Sequence, residues 1–154
     1  MVGRRRRFAV ADTAQQVVGG FLLAGPFVVT EEVWVLARSM SWIQGLLTVA
    51  IVLAVGYGAL YKADDRNPDR EAEFGGVPLR YISLILVSYL SVFILALAFD
   101  APGTFLEDMV ADDPDSYRFL GMVLSPAVLW VTLKATSVGA VFSVIGAATA
   151  DSVF

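Results

Sequence analysis

Four long apolar stretches, separated by segments that are either very short or strongly polar, set the plan of this chain. The first covers about residues 14–37, and a second, about 42–61, follows after the tight Ser39-Met40-Ser41 turn. The third, about 81–99, is interrupted only by Ser83, Ser88 and Ser91. The fourth, about 122–147, belongs to a helix expected to begin at Asp113-Pro114 and to reach about Ala150, with Pro126 dividing an interfacial start from the true span. An α-helix rises about 1.5 Å per residue, so roughly 20 apolar residues cross the hydrocarbon of a bilayer, and each stretch is long enough. The pattern predicts an all-α integral membrane four-helix bundle, one membrane domain over residues 1–154.

The polar segments fit between spans. Residues 62–80, KADDRNPDREAEFGGVPLR, carry the breakers Asn67-Pro68 and Gly75-Gly76 and predict a solvated loop. Residues 100–118 are strongly acidic; Thr104 and Glu107 form a capping-box pattern, and Phe105, Leu106, Met109 and Val110 share one face of a short interfacial helix. Within the spans, small residues predict close helix contacts. Gly19, Gly20, Gly25 and Pro26 mark the first, with a kink expected near Leu22, whose carbonyl loses its partner to Pro26. Ala50, Ala54 and Gly58 recur every fourth residue in the second. Ala135, Gly139, Ser143, Ala147 and Asp151 do so in the last, the clearest packing face of the chain.

Composition sharpens this picture. The chain is 57% hydrophobic with a mean hydropathy of +0.70, far above an ordinary soluble domain. It has no cysteine and no histidine, which removes disulfides, thiolate metal sites, the usual nucleophile and the usual general base. Neither a Ser-x-x-Lys nor a Gly-x-Ser-x-Gly pattern is present, so an enzyme is not expected, nor a cofactor or a bound metal. The net charge is −4 and only Lys62 and Lys134 are lysine, a balance suited to a halophilic source. The basic residues sit beside spans and are matched by acids, which argues against nucleic acid as a partner.

Four spans place Arg4 to Arg7, Lys62, Arg66, Arg70 and Arg80 on one side, 8 basic residues, against Arg38 and Arg118 on the other. By the positive-inside rule both termini are cytoplasmic and the chain is a multi-pass protein of the cell membrane. The arginine cluster is read as an anchor, not a cleaved export signal, because the apolar run behind it continues into a hairpin.

Charges inside the spans are the candidates for chemistry, since each costs about 2.5 to 3.5 kcal/mol at the bilayer centre on insertion scales. Glu31 and Glu32 point about 100° apart and lie about 8 Å below the outer interface if Ala37 is near it. They could hold a cation or a proton, or simply tie helices together. Lys134 is the other intramembrane charge, and an association of Glu32 with Lys134, direct or through water, is expected as its counter-charge. Thr30 is expected to bond back to its own helix and Trp34 and Trp42 to act as interfacial anchors, while Gln15-Gln16, at the inner end of the first span, could line a polar path but is explained by the interface alone.

Pro26-x-x-x-Thr30-x-Glu32-x-Trp34, at the end of a glycine-rich first span, resembles the signature of a family of integral membrane proteins, domain of unknown function 2391, and Leu133-Lys134-Ala135 followed by Gly139-Ala140 is similar to that family's C-terminal portion. The resemblance implies a multi-pass membrane fold and singles out Glu32 over Glu31. The expected function is a homo-oligomeric cation or proton channel or transporter in the lipid bilayer, using Glu32 with Glu31, Lys134, Thr30 and Trp34. The alternative is a non-catalytic membrane scaffold or subunit of a larger complex.

Overall fold

The computed structural model describes residues 10–62, 67–68, 71–111, 117–119 and 122–153. The Arg4–Arg7 cluster, Arg66, Arg70 and the Asp113-Pro114 start signal lie outside the described residues. Helices dominate: α1 (Val10–Val28), α2 (Glu31–Ser39), α3 (Trp42–Tyr57) continued by a π-helical turn (Gly58–Lys62), α4 (Leu79–Ala98), α5 (Ala101–Phe105), α6 (Glu107–Ala111) and α7 (Pro126–Val153). Two short antiparallel hairpins join them, β1 (Glu73–Phe74) with β2 (Val77–Pro78), and β3 (Tyr117–Phe119) with β4 (Met122–Leu124). Gly75 and Gly76 both take positive φ, 61° and 83°, the two-residue hairpin turn that only residues without a β-carbon adopt freely.

Helix α7 is the axis, and α1, α2, α3 and α4 all pack on it. Helices α1 and α4 run antiparallel to α7: Gln16 and Arg80, near their starts, meet Asp151 near its end, and Val92, farther along α4, meets Gly139. Helix α3 runs parallel to it, with Gly45 beside the stem of Lys134 and Gly56 against Val144. The expected stripe Ala135, Gly139, Ser143, Ala147 and Asp151 is buried throughout. A β-carbon on Gly19 would fall on the Gly146 carbonyl, and Ser143 Oγ donates to the Gly20 carbonyl at 3.0 Å, so the backbones of α1 and α7 touch. In lipid such contacts are driven by dispersion and hydrogen bonding, because hydrocarbon surrounds both states. The other stripe behaves differently. Ala50 and Ala54 are exposed, and α3 reaches its neighbours through Val52 and Gly56 instead.

Among the described residues, three helices, the α3 segment through Lys62, α4 and α7, are long and apolar enough to cross a membrane, or up to four if the bent pair α1 and α2 is one span. That pair corrects the expectation of a single straight span over 14–37: the two helices meet at 80°. The break comes later than the kink foreseen near Leu22. The chain stays helical past Pro26 to Val28, where Thr30 Oγ1 donates to the Phe27 carbonyl at 2.9 Å. Thr30 itself is extended (φ −100°, ψ 126°) and starts α2. Between Asp12 and Val28, α1 already rises about 24 Å, most of a hydrocarbon layer about 30 Å thick. Helix α2 then runs across the far end of the bundle and packs on α7, where Val33 and Trp34 share a small cavity with Ala135, Thr136 and Gly139.

The last helix also begins later than foreseen. Residues 122–124 are strand β4, and α7 starts at Pro126 and extends to Val153, with Ser125 Oγ capping the Val128 N–H at 3.1 Å. In the acidic loop the short helix is present as two, α5 and α6. Thr104 does not cap α6; its hydroxyl donates to the Asp100 carbonyl at 2.9 Å. The face predicted there does turn inward, with Leu106 buried and Phe105 and Met109 half-buried against the core.

Two outcomes follow from this packing. Gly19→Val should lower the denaturation midpoint in detergent by an amount equivalent to about 1–3 kcal/mol, as overpacking does, while Gly25→Ala, which meets nothing within 4 Å, should leave it unchanged. Because the chain has no cysteine, single-cysteine labelling is clean: Glu32→Cys should react with a membrane-impermeant maleimide and Leu84→Cys should not. Protection of both would return the glutamates to the hydrocarbon.

Candidate functional site

Among the described residues, the densest polar cluster forms where the starts of α1 and α4 meet the ends of α3 and α7. On α1, Asp12 and Gln16 are four residues apart and therefore share a face. Arg80 is the second residue of α4, Asp151 is the last step of the small-residue stripe on α7, and Tyr61 comes from the π-helical turn. Glu71 precedes the first hairpin. Arg80 stands at the centre. Its Nη1 donates to Asp151 Oδ1 at 2.7 Å and Oδ2 at 2.8 Å, its Nη2 to Asp12 Oδ2 at 3.1 Å, and its Nε lies 3.3 Å from Glu71 Oε1. Gln16 Nε2 donates to Asp151 Oδ1 at 3.2 Å and to the Arg80 carbonyl at 3.4 Å. Ser83 Oγ donates to Gln16 Oε1 at 2.7 Å and lies 3.4 Å from Thr13 Oγ1, and the Tyr61 hydroxyl donates to Glu71 Oε2 at 2.9 Å.

Arginine suits this position because its planar fork of donors can serve several carboxylates at once and keeps its charge on burial. Desolvation makes the pair a poor source of net stability, yet removal of one partner strands the other charge. The arrangement can therefore do two things: fix the register of α1, α4 and α7, and change state when a carboxylate gains or loses charge.

The sequence-predicted site residues lie elsewhere. Glu31 and Glu32 are exposed on the first turn of α2, and among the described residues neither takes part in an ion pair. The expected association of Glu32 with Lys134 does not form. Lys134 is buried, its stem passes Gly45, and its Nζ donates to the Met40 carbonyl at 2.7 Å, at the C-terminal cap of α2. Helix polarity explains both placements: carboxylates are favoured at the N-terminus of α2, and an ammonium at its carbonyl end. Trp34 is not a lipid-facing anchor. It is buried, its Nε1 donates to the Val28 carbonyl at 3.0 Å, and its ring stacks on Phe105 with centroids 5.9 Å apart. Trp42 is exposed, as an interfacial anchor should be. At the same end Arg38 Nη2 meets Asp108 Oδ2 at 2.6 Å and holds that carboxyl below the usual carboxylate range, mainly by hydrogen bonding.

In the sequence alone Arg80 reads as a loop charge, Asp151 as a step of a packing stripe and Gln16 as an interface residue. The signal that joins them is a basic residue opening one span and an acid closing another at the same level of the bundle. Arg80→Met should cost about 3–5 kcal/mol in detergent denaturation, the range for stranding a buried charge, and adding Asp151→Asn should recover part of it. A loss under about 1 kcal/mol for the single variant would mean that the ion pair is not buried in solution.

Among proteins of known sequence, a family model described as "Putative integral membrane protein (DUF2391)" matches residues 3–102. The match holds Pro26, Thr30, Glu32 and Trp34 together with Asp12, Gln16, Glu71 and Arg80, and ends before Lys134 and Asp151, so the likeness seen at Leu133-Lys134-Ala135 lies outside it. No curated protein and no solved structure matches the chain. With about two thirds of its length matched, the chain belongs to the DUF2391 family of integral membrane proteins.

Proposed function

We propose that this membrane protein moves cations or protons across the cell membrane, and that the Arg80 cluster, not Glu32, is its ion-exchanging site. One observation carries the reading: the Asp151 carboxylate is completely buried and depends on an arginine that is shared with Asp12 and Glu71. A carboxylate buried inside a membrane protein is expensive and points to function when its partners can be exchanged. Glu31 and Glu32, exposed at the opposite end, act as an acidic mouth that gathers cations, with Lys134 serving as a brace for α2. Both termini are cytoplasmic in this reading, which places the Arg80 cluster at the inner side. The functional unit is a homo-oligomer, because one four-helix bundle packed around α7 leaves little room for a pathway.

The exposed Ala50 and Ala54 on α3 favour a second reading, a membrane scaffold whose small-residue face receives a helix of another protein. Flux measurements separate the two. Purified protein in liposomes should carry cations or protons, Asp151→Asn should reduce the flux at least tenfold, and Glu32→Gln should reduce it less than threefold. Absence of flux from folded, oligomeric protein would favour the scaffold.

A further inference from the structure

Building on the transport reading above, we infer that the species exchanged at the Arg80 cluster is the proton, not a metal cation. The three carboxylates do not converge on an empty point. They surround a guanidinium that takes one or both oxygens of each, at 2.7 to 3.3 Å. A metal ion that reached these oxygens would sit beside a fixed positive charge. Among the described residues no group of three acids is arranged to hold a metal. A proton needs neither a vacant cage nor several ligands; it needs one carboxylate oxygen.

Accessibility is graded in the manner that proton delivery requires. Side-chain exposure is 22% for Asp12, 14% for Glu71, 8% for Arg80 and 0% for Asp151. In this exchange the proton enters from the side of the partly exposed Asp12 and Glu71 and reaches Asp151. Neutral Asp151 no longer holds Arg80 as an ion partner, and the guanidinium keeps its charge and remains on Asp12 and Glu71. The site gains one positive charge per proton, and loss of the proton toward the other side restores the pair. Among the described residues, the charged and titratable groups of this cluster are Arg80 on α4, which bonds Asp151 directly, Asp12 on α1 and Glu71 before β1, which share Arg80, and Tyr61 on the π-helical turn, which bonds Glu71.

A second, independent observation lies farther along the bundle. Ser91 is buried and its hydroxyl has no hydrogen-bond partner. It lies at Gly20, one helical turn along α1 from Gln16, where a β-carbon would come 3.0 Å from Ser91 Oγ and 3.2 Å from Ser143 Oγ. Ser143 is eight residues from Asp151 on α7, about 12 Å toward the membrane centre. A hydroxyl both donates and accepts, as a proton relay requires.

The test uses the full chain in liposomes with a trapped pH-sensitive dye, a potassium diffusion potential, and separate tracer uptake of sodium and rubidium. The expected result is proton uptake that falls at least tenfold in Asp151→Asn and persists in Asp151→Glu with a shifted pH dependence, while neither tracer enters. Ser91→Ala should slow uptake severalfold at unchanged thermal midpoint. Should Asp151→Asn fail to fold, the shifted pH dependence of Asp151→Glu carries the test, and an unshifted profile overturns the proposal. Tracer uptake abolished by Asp151→Asn, without proton uptake, overturns the proton assignment and leaves transport standing. No flux of any ion overturns both.

Discussion

A buried charge in an apolar slab must be answered within the protein, and that requirement organises one end of this molecule. Arg80 enters the bundle at the start of α4, and Asp151 closes α7 opposite it. Neither could be left alone at that depth. Once they pair, α4 and α7 have a fixed relative level, and Gln16, bonded to both, fixes α1 to the same level. The glycine contacts of α1 with α7 lie one to two turns farther in and can be so close because the axial register is already set.

The opposite end is held by different means. Its stabilising contacts are aromatic stacking of Trp34 on Phe105, the Trp34 hydrogen bond to Val28, and Lys134 on the carbonyl end of α2. The ion pair there, Arg38 with Asp108, is exposed and correspondingly weak and salt-sensitive. The molecule thus has one end tied by buried ion pairs and another assembled from a short crossing helix and two short helices. An exchange of partners at Arg80 would be felt first by α1, α4 and α7 together, since all three bond to the same few atoms.

The sequence by itself determined the membrane class, the helical spans of α3 and α4, and the buried face of α7. Each follows from composition or from a repeat of about four residues, which is local information. It could not determine that the first apolar run breaks at Thr30. Hydropathy averages over the run, and the bend depends on Trp34 finding Val28 and Phe105. Nor could it tell that Ala50 and Ala54 of the second stripe are exposed, because a four-residue period names a face without naming its neighbour. Glu32 and Lys134 drew attention as isolated charges in apolar text, yet tertiary structure gave each a separate place, at opposite ends of the dipole of α2. The Arg80 cluster was beyond reach for a simple reason: Gln16, Arg80 and Asp151 are far apart in the chain, and only the antiparallel packing of α1 and α4 on α7 brings them to one level.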